Sequence, residues 1–210
     1  MQYVLEQFGV SVAAITGVLA ARGKQVDLFG VLVLAFVTAF GGGTLRDVLI
    51  GSWPLFWVGD QTYIFNVIIS AVVTFYLVRF QELPSTVLMV ADAFALALYT
   101  MMGARKGMAF HLMPSIAVMM GITTGVAGGI LRDLLIGEIP LVFRRETCLY
   151  ATAAFGGALT FVLLDEYAVS AGTNAIVSTL VTLLLRLAGI RWRIRLPVFR
   201  PKAGARPPGR

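Results

Sequence analysis

Apolar residues in this chain come in runs too long for a soluble core. Seven stretches of roughly 18 to 25 residues follow one another with short connections, each about the length that crosses a ~30 Å hydrocarbon layer. They lie near 3–21, 28–50, 62–80, 85–104, 112–137, 144–164 and 171–190. Soluble domains are about a quarter charged, whereas this chain is 13% charged and 58% hydrophobic. An all-α integral membrane protein with seven transmembrane helices is therefore expected, with no room for a soluble domain. The first stretch is expected to be retained rather than cleaved, because residues 1–10 contain Glu6 and no Lys or Arg to form a basic n-region. Cys148 is the only cysteine and forms no internal disulfide.

The net charge of +6 does not point to nucleic acid, because of where it sits. Eight of the 17 basic residues occupy the last 25 positions: Arg186, Arg191, Arg193, Arg195, Arg200, Lys202, Arg206 and Arg210. Such a tail, rich in Pro and Gly, suits anionic lipid headgroups beside a membrane. With seven spans, that tail shares a side with Arg22, Lys24, Arg79, Arg144 and Arg145. The opposite side holds Arg105 and Lys106 together with the acidic Asp165 and Glu166. The positive-inside rule then places the N-terminus outside and the C-terminus in the cytoplasm.

The chain also repeats itself. "GGGTLRDVLIG" and "GGILRDLLIG" align at an offset of 86, which superposes Gly42 on Gly128, Gly43 on Gly129, Arg46 on Arg132, Asp47 on Asp133 and Gly51 on Gly137. The same offset brings Glu6 onto Asp92 and Gly17 onto Gly103. Three spans per copy would make the second copy enter the membrane from the other side, giving an inverted 3+3 repeat plus a seventh helix. The expected divisions are 4–85 for the first repeat, 90–171 for the second, 172–190 for the seventh helix and 191–210 for a disordered basic tail.

Both copies place glycines at membrane depth. The 13 residues from Leu28 to Phe40 cover only about 20 Å as a helix, so the span must continue through Gly41, Gly42 and Gly43. The equivalent glycines are Gly125, Gly128 and Gly129. Glycine permits unusual backbone, and non-helical backbone at that depth survives only inside protein or beside a water-filled cavity. Helices 2 and 5 are therefore expected to break at these glycines and line a solute path. The competing reading is a close-packed helix seam.

Intramembrane charges need partners. Arg46 is expected to meet Asp133, and Arg132 to meet Asp47, across the repeat interface, either locking the halves or gating the path. Asp92 is the stronger candidate path residue of the Glu6/Asp92 pair, since Glu6 lies near a helix end. Thr123 and Thr124 offer hydroxyls beside the second glycine cluster, although back-bonding to the helix is the commoner use. Thr44 and Asp47 match a capping box that would restart the helix, a feature missing at the equivalent Ile130. His111, the lone histidine, reads as an interfacial residue. No metal-ligand spacing, nucleophile–base pair or phosphate loop is present, so an enzyme is not expected.

The paired "GGGTLRD" and "GGILRD", each followed by Gly and Pro, and the run "DLFGVLVLAFVTAFGGG" resemble the bacterial relatives of the trimeric intracellular cation (TRIC) channels, a family whose repeat is catalogued as a glycine-transporter domain. The resemblance covers about residues 4 to 190. It implies a homotrimer with one pore per protomer between helices 2 and 5, kinked at Gly41–Gly43 and Gly125–Gly129. It also implies permeant monovalent cations (K+, Na+), and no cofactor apart from bound lipid. The alternatives are a secondary transporter of glycine or another small amino acid, and a membrane scaffold. The trimer surface is open, with helices 1 and 4 (Gly17, Gly103) as one candidate.

Overall fold

The computed structural model describes residues 2–80, 84–144 and 149–192. Cys148, Arg145 and the tail from 193 to 210 lie outside the described residues. Among the described residues seven helices follow in order: α1 Gln2–Ala20, α2 Leu28–Leu49, α3 Thr62–Val78, α4 Ser85–Ala109, α5 Pro114–Leu135, α6 Tyr150–Glu166 and α7 Ala171–Trp192. A short 3-10 turn, Leu141–Phe143, lies between α5 and α6. By length and composition α1, α2, α4, α5 and α7 are sufficient to cross a bilayer, and α3 is a shorter apolar helix. The bundle end carrying the start of α1 is called the N-face here, and the end where α7 finishes the C-face.

Helix boundaries follow local chemistry. Asp27 caps α2, its carboxylate accepting the Gly30 N–H at 2.8 Å. Pro114 opens α5 at a position that needs no N–H. The matched ends of α2 and α5 close identically. Gly51 and Gly137 adopt φ of 67° and 71°, and the next residue donates back to Asp47 or Asp133 carbonyl at 2.8 and 2.9 Å. This is the left-handed glycine stop expected of such a pattern. His111 plays the same part for α4 with φ of 54°, followed by Leu112 N–H bonding the Gly107 carbonyl. Its interfacial position has a backbone cause.

The expected breaks in α2 and α5 are absent. Both helices run without interruption through Gly41–Gly43 and Gly125–Gly129. An unpaired backbone group in lipid costs several kcal/mol, which favours keeping the helix ladder intact. The glycines supply contact space instead. A Cβ on Gly42 would overlap the Thr124 carbonyl oxygen, and one on Gly128 would lie 2.5 Å from that of Thr38. Thr38 and Thr124 are themselves 86 positions apart, so each helix gives the other the same contact. The two helices therefore cross antiparallel, backbone against backbone, at this point.

Gly17 and Gly103 form a second reciprocal set. Their Cβ positions would fall 2.9 Å from the Leu34 carbonyl and 2.5 Å from the Met120 carbonyl, again residues one repeat apart. These glycines are thus spent inside the protomer, on α1–α2 and α4–α5 contacts, and do not mark a trimer surface. Around them small residues such as Ala14, Ala35, Ala97, Ala104 and Ala117 are fully buried. In lipid the gain from such packing is dispersion rather than hydrophobic transfer. An aromatic cluster fills the N-face end of the α2 side. Phe40 stacks on Trp57 at 5.4 Å, and Phe36 and Phe56 meet Phe40 edge-on at 4.6 and 5.7 Å.

Candidate functional site

Two charged clusters sit at opposite ends of the helix crossing. At the N-face, Asp47 is completely buried and accepts from Arg46 at 2.7 Å, from Lys106 of α4 at 2.7 Å, and from the Phe56 backbone N–H at 3.0 Å. At the C-face, Asp133 accepts from Arg132 at 2.8 Å and from the Leu141 N–H at 2.8 Å. Arg132 also holds Asp92 of α4 at 2.9 Å. Each aspartate therefore ties the chain that leaves its helix back onto the helix end.

The expected crossed pairs do not form. Each arginine folds its long side chain onto the adjacent aspartate. Antiparallel crossing near Gly42 and Gly128 explains this, because Arg46 and Arg132 each lie four residues beyond it in opposite directions. At 1.5 Å per residue that separates them by about 12 Å along the axis. Thr44 is not a cap either. It lies within continuous α2, and its hydroxyl accepts the Trp57 indole N–H at 2.9 Å. Thr124 is buried and donates to the Met120 carbonyl at 2.6 Å, while Thr123 is half-buried.

A cavity of 610 Å³ opens at the N-face among α1, α2, α3 and α4, lined by Glu6, Arg46, Tyr63, Tyr99, Lys106 and Phe110 among others. Tyr63 donates to Glu6 at 2.7 Å, and the buried Tyr99 donates to the Ala39 carbonyl at 2.6 Å, one turn before the glycines. Glu6 rather than Asp92 lines a cavity; Asp92 is 4% exposed and held by Arg132. A second pocket of 370 Å³ lies at the C-face and includes Leu19, Ala20, Lys24, Asp133, Glu138 and Arg144. Leu19, Ala20 and Lys24 stand 86 positions before Arg105, Lys106 and Phe110 of the N-face cavity. Three matched positions thus line both pockets. Of the kink glycines, Gly41 faces Leu131, Gly43 faces Phe56, Gly125 faces Thr100 and Gly129 faces the Tyr150 hydroxyl. Each touches a neighbouring side chain.

Lys24 and Arg144 both pair with Glu138 at the rim of the C-face pocket. The Lys24 ammonium hydrogen bond holds the Glu138 carboxyl below its ordinary value of 4.5. A depressed carboxylate stabilises the fold above its ordinary pKa and loses that contribution as pH falls through the depressed one. Wild-type protein should therefore exceed Glu138→Gln in melting temperature at neutral pH. The gap should close as pH falls below that ordinary value and through the depressed one, in a differential scanning series.

Sequence reading missed several members of these clusters. Lys106 sits inside α4, two residues beyond the expected helix end, where its stem can run along the bundle to Asp47. Arg186 was counted with the basic tail but lies within α7 and is completely buried. The signal was present in "TLLLRLAG", since a cation inside an apolar span requires a buried environment that tolerates it.

These features define an all-α, multi-pass membrane protein whose two matched helix ends carry buried charge clusters. The family model described as "Glycine transporter" matches twice, at residues 3–79 and 89–166. The chain is 44% identical over 199 residues to the UPF0126 inner membrane protein YadS of Escherichia coli, covering 94% of this chain and 95% of that one. A solved structure of the TRIC trimeric intracellular cation channel orthologue from Rhodobacter sphaeroides superposes with a TM-score of 0.86 at 37% identity, covering 91% of this chain and 97% of that one. Another, described under the structural basis for conductance through TRIC cation channels, gives a TM-score of 0.83 at 32% identity, covering 96% and 98%. The chain belongs to the TRIC family, with two glycine-transporter domains.

Proposed function

We propose that the protein is a passive cation channel, permeable to potassium, that assembles as a homotrimer with one path in each protomer. The observation that carries this reading is the pair of pockets with charged linings at opposite faces, which share three repeat-equivalent positions at the ends of α1 and α4 and flank the α2–α5 crossing. The reciprocal glycine contacts support an inverted repeat with its two-fold axis through that crossing. The path runs from the N-face cavity beside the crossing to the C-face pocket, with Arg46, Asp47 and Lys106 guarding one end and Asp92, Arg132 and Asp133 the other. The likeness to solved TRIC cation channels supports cations as the permeant species and the trimer as the assembly. By charge asymmetry the N-face is extracellular and the C-face cytoplasmic.

Glycine is carried in the name of the family model and has no further support in the site. Purified protein reconstituted into planar bilayers should show unitary potassium currents with no coupling ion. Slow, saturable, gradient-driven uptake of labelled glycine, without currents, would replace the channel reading with a carrier. Lys106→Gln sharpens the test. Arg46 remains on Asp47, so the fold should persist while the positive barrier at the N-face mouth falls, and potassium current should rise.

A further inference from the structure

The two ends of the proposed path differ in one respect that the repeat does not predict. At the C-face a single carboxylate joins the two halves of the chain. Glu138, just after α5, accepts from Lys24, just after α1, at 2.5 Å through one oxygen. Its other oxygen accepts from Arg144 at 3.4 Å. All three line the C-face pocket, as does the buried Asp133. We infer that Lys24, Glu138 and Arg144 form a latch across the mouth of this pocket, controlling access to its interior at the C-face alone. As a gate on current, the latch rests on the channel reading.

Local backbone places these side chains. Gly23 and Gly137 both adopt φ of 71°, directly before Lys24 and Glu138. A Cβ at either would meet nothing within 4 Å, so these glycines set the direction of the chain rather than making space. The Glu138 N–H bonds the Asp133 carbonyl at 2.9 Å, and Arg144 Nε donates to the Ile139 carbonyl at 2.6 Å. One half of the latch is therefore tied to the helix end that carries Asp133. The other half belongs to the turn between α1 and α2.

The N-face does not build the same device. The positions 86 residues away are Phe110, Ser52 and Val58, none of them charged. The turn is missing as well, because α4 is still helical at Ala109, the equivalent of Gly23. The N-face cavity is the larger of the two, 610 against 370 Å³. Strength also suits a latch. The Lys24, Glu138 and Arg144 side chains are 35%, 40% and 37% exposed, and ion pairs open to water are weak. The buried pairs at Asp47 and Asp133 hold the fold; this one can part and re-form without unfolding it.

The test uses full-length protein in liposomes, with Cys148→Ser and a reporter cysteine, Ala20→Cys, in the C-face pocket. A small charged thiol reagent reads access. Lys24→Gln and Glu138→Gln should each raise the labelling rate about two- to fivefold. Lys24→Gln/Glu138→Gln should label no faster than Glu138→Gln, since that variant already loses both contacts. A reporter in the N-face cavity, Ala109→Cys, should label at one rate in all these backgrounds. Unchanged labelling at Ala20→Cys in both single variants, multiplied rates in the double variant, or an equal rise at Ala109→Cys would each overturn the latch.

The second readout is potassium current in planar bilayers, which Glu138→Gln should raise by the same factor as labelling. The two claims fail separately. Faster labelling with no current in any variant leaves the latch standing and removes the channel. Faster labelling with a current that ignores Glu138→Gln overturns the gate and leaves the channel.

Discussion

Arg132→Leu is expected to leave little folded protein. Arg132 is completely buried and is the direct partner of both Asp92 and Asp133. Its removal strands two carboxylates where water cannot reach them. Breaking a buried pair costs about 3–5 kcal/mol, a large part of the roughly 5–15 kcal/mol that holds a typical domain together. Size-exclusion profiles and melting curves in detergent will read the loss. The triple variant Arg132→Leu/Asp92→Asn/Asp133→Asn should recover much of it, since replacing all the charges removes the desolvation penalty as well as the attraction. Some deficit should remain, because Asp133 also accepts the Leu141 N–H that secures the turn after α5.

The second large effect is at the helix crossing. Gly42→Leu and Gly128→Leu should each abolish the native packing rather than plug an intact pore. At both positions the nearest neighbour is a backbone carbonyl of the opposing helix, and a carbonyl within a helix cannot swing aside as a side chain can. Even Gly42→Ala should cost about 1–3 kcal/mol, the usual range for forcing a methyl into a filled site. The Gly42→Ala/Gly128→Ala double variant should lose less than the two singles combined. Once one methyl has spread the helices, the other finds room. Strict additivity in melting experiments would mean the two contacts are independent. Loss of current with unchanged melting temperature in Gly42→Leu would instead mean that the glycine faces the path.

Helix number, order and approximate limits were legible because span length is fixed by the bilayer and apolar runs advertise it. The repeat was legible as identity at a constant offset, and the family model matches the chain twice, at 3–79 and 89–166. What the glycines do was not legible. A glycine run in a membrane helix is equally consistent with a broken backbone and with a close crossing. The partner that decides between them, the Thr124 or Thr38 carbonyl, belongs to the other half of the chain. The charge partners failed for a related reason. Helical spacing suggested that neighbouring Arg and Asp diverge, but an arginine side chain is long enough to fold onto the next residue. Lys106 and Arg186 were hidden by apparent location, one beyond an expected helix end and the other absorbed into a basic tail.

The aromatic cluster has a practical consequence. Of the three tryptophans, Trp53 and Trp192 are 70% and 69% exposed, whereas Trp57 is held between Phe40, Phe36 and the Thr44 hydroxyl. With the two exposed indoles replaced by phenylalanine, the remaining fluorophore becomes a native optical probe of the N-face end of α2. Its emission wavelength and its shielding from iodide would report movement of that helix without any attached dye.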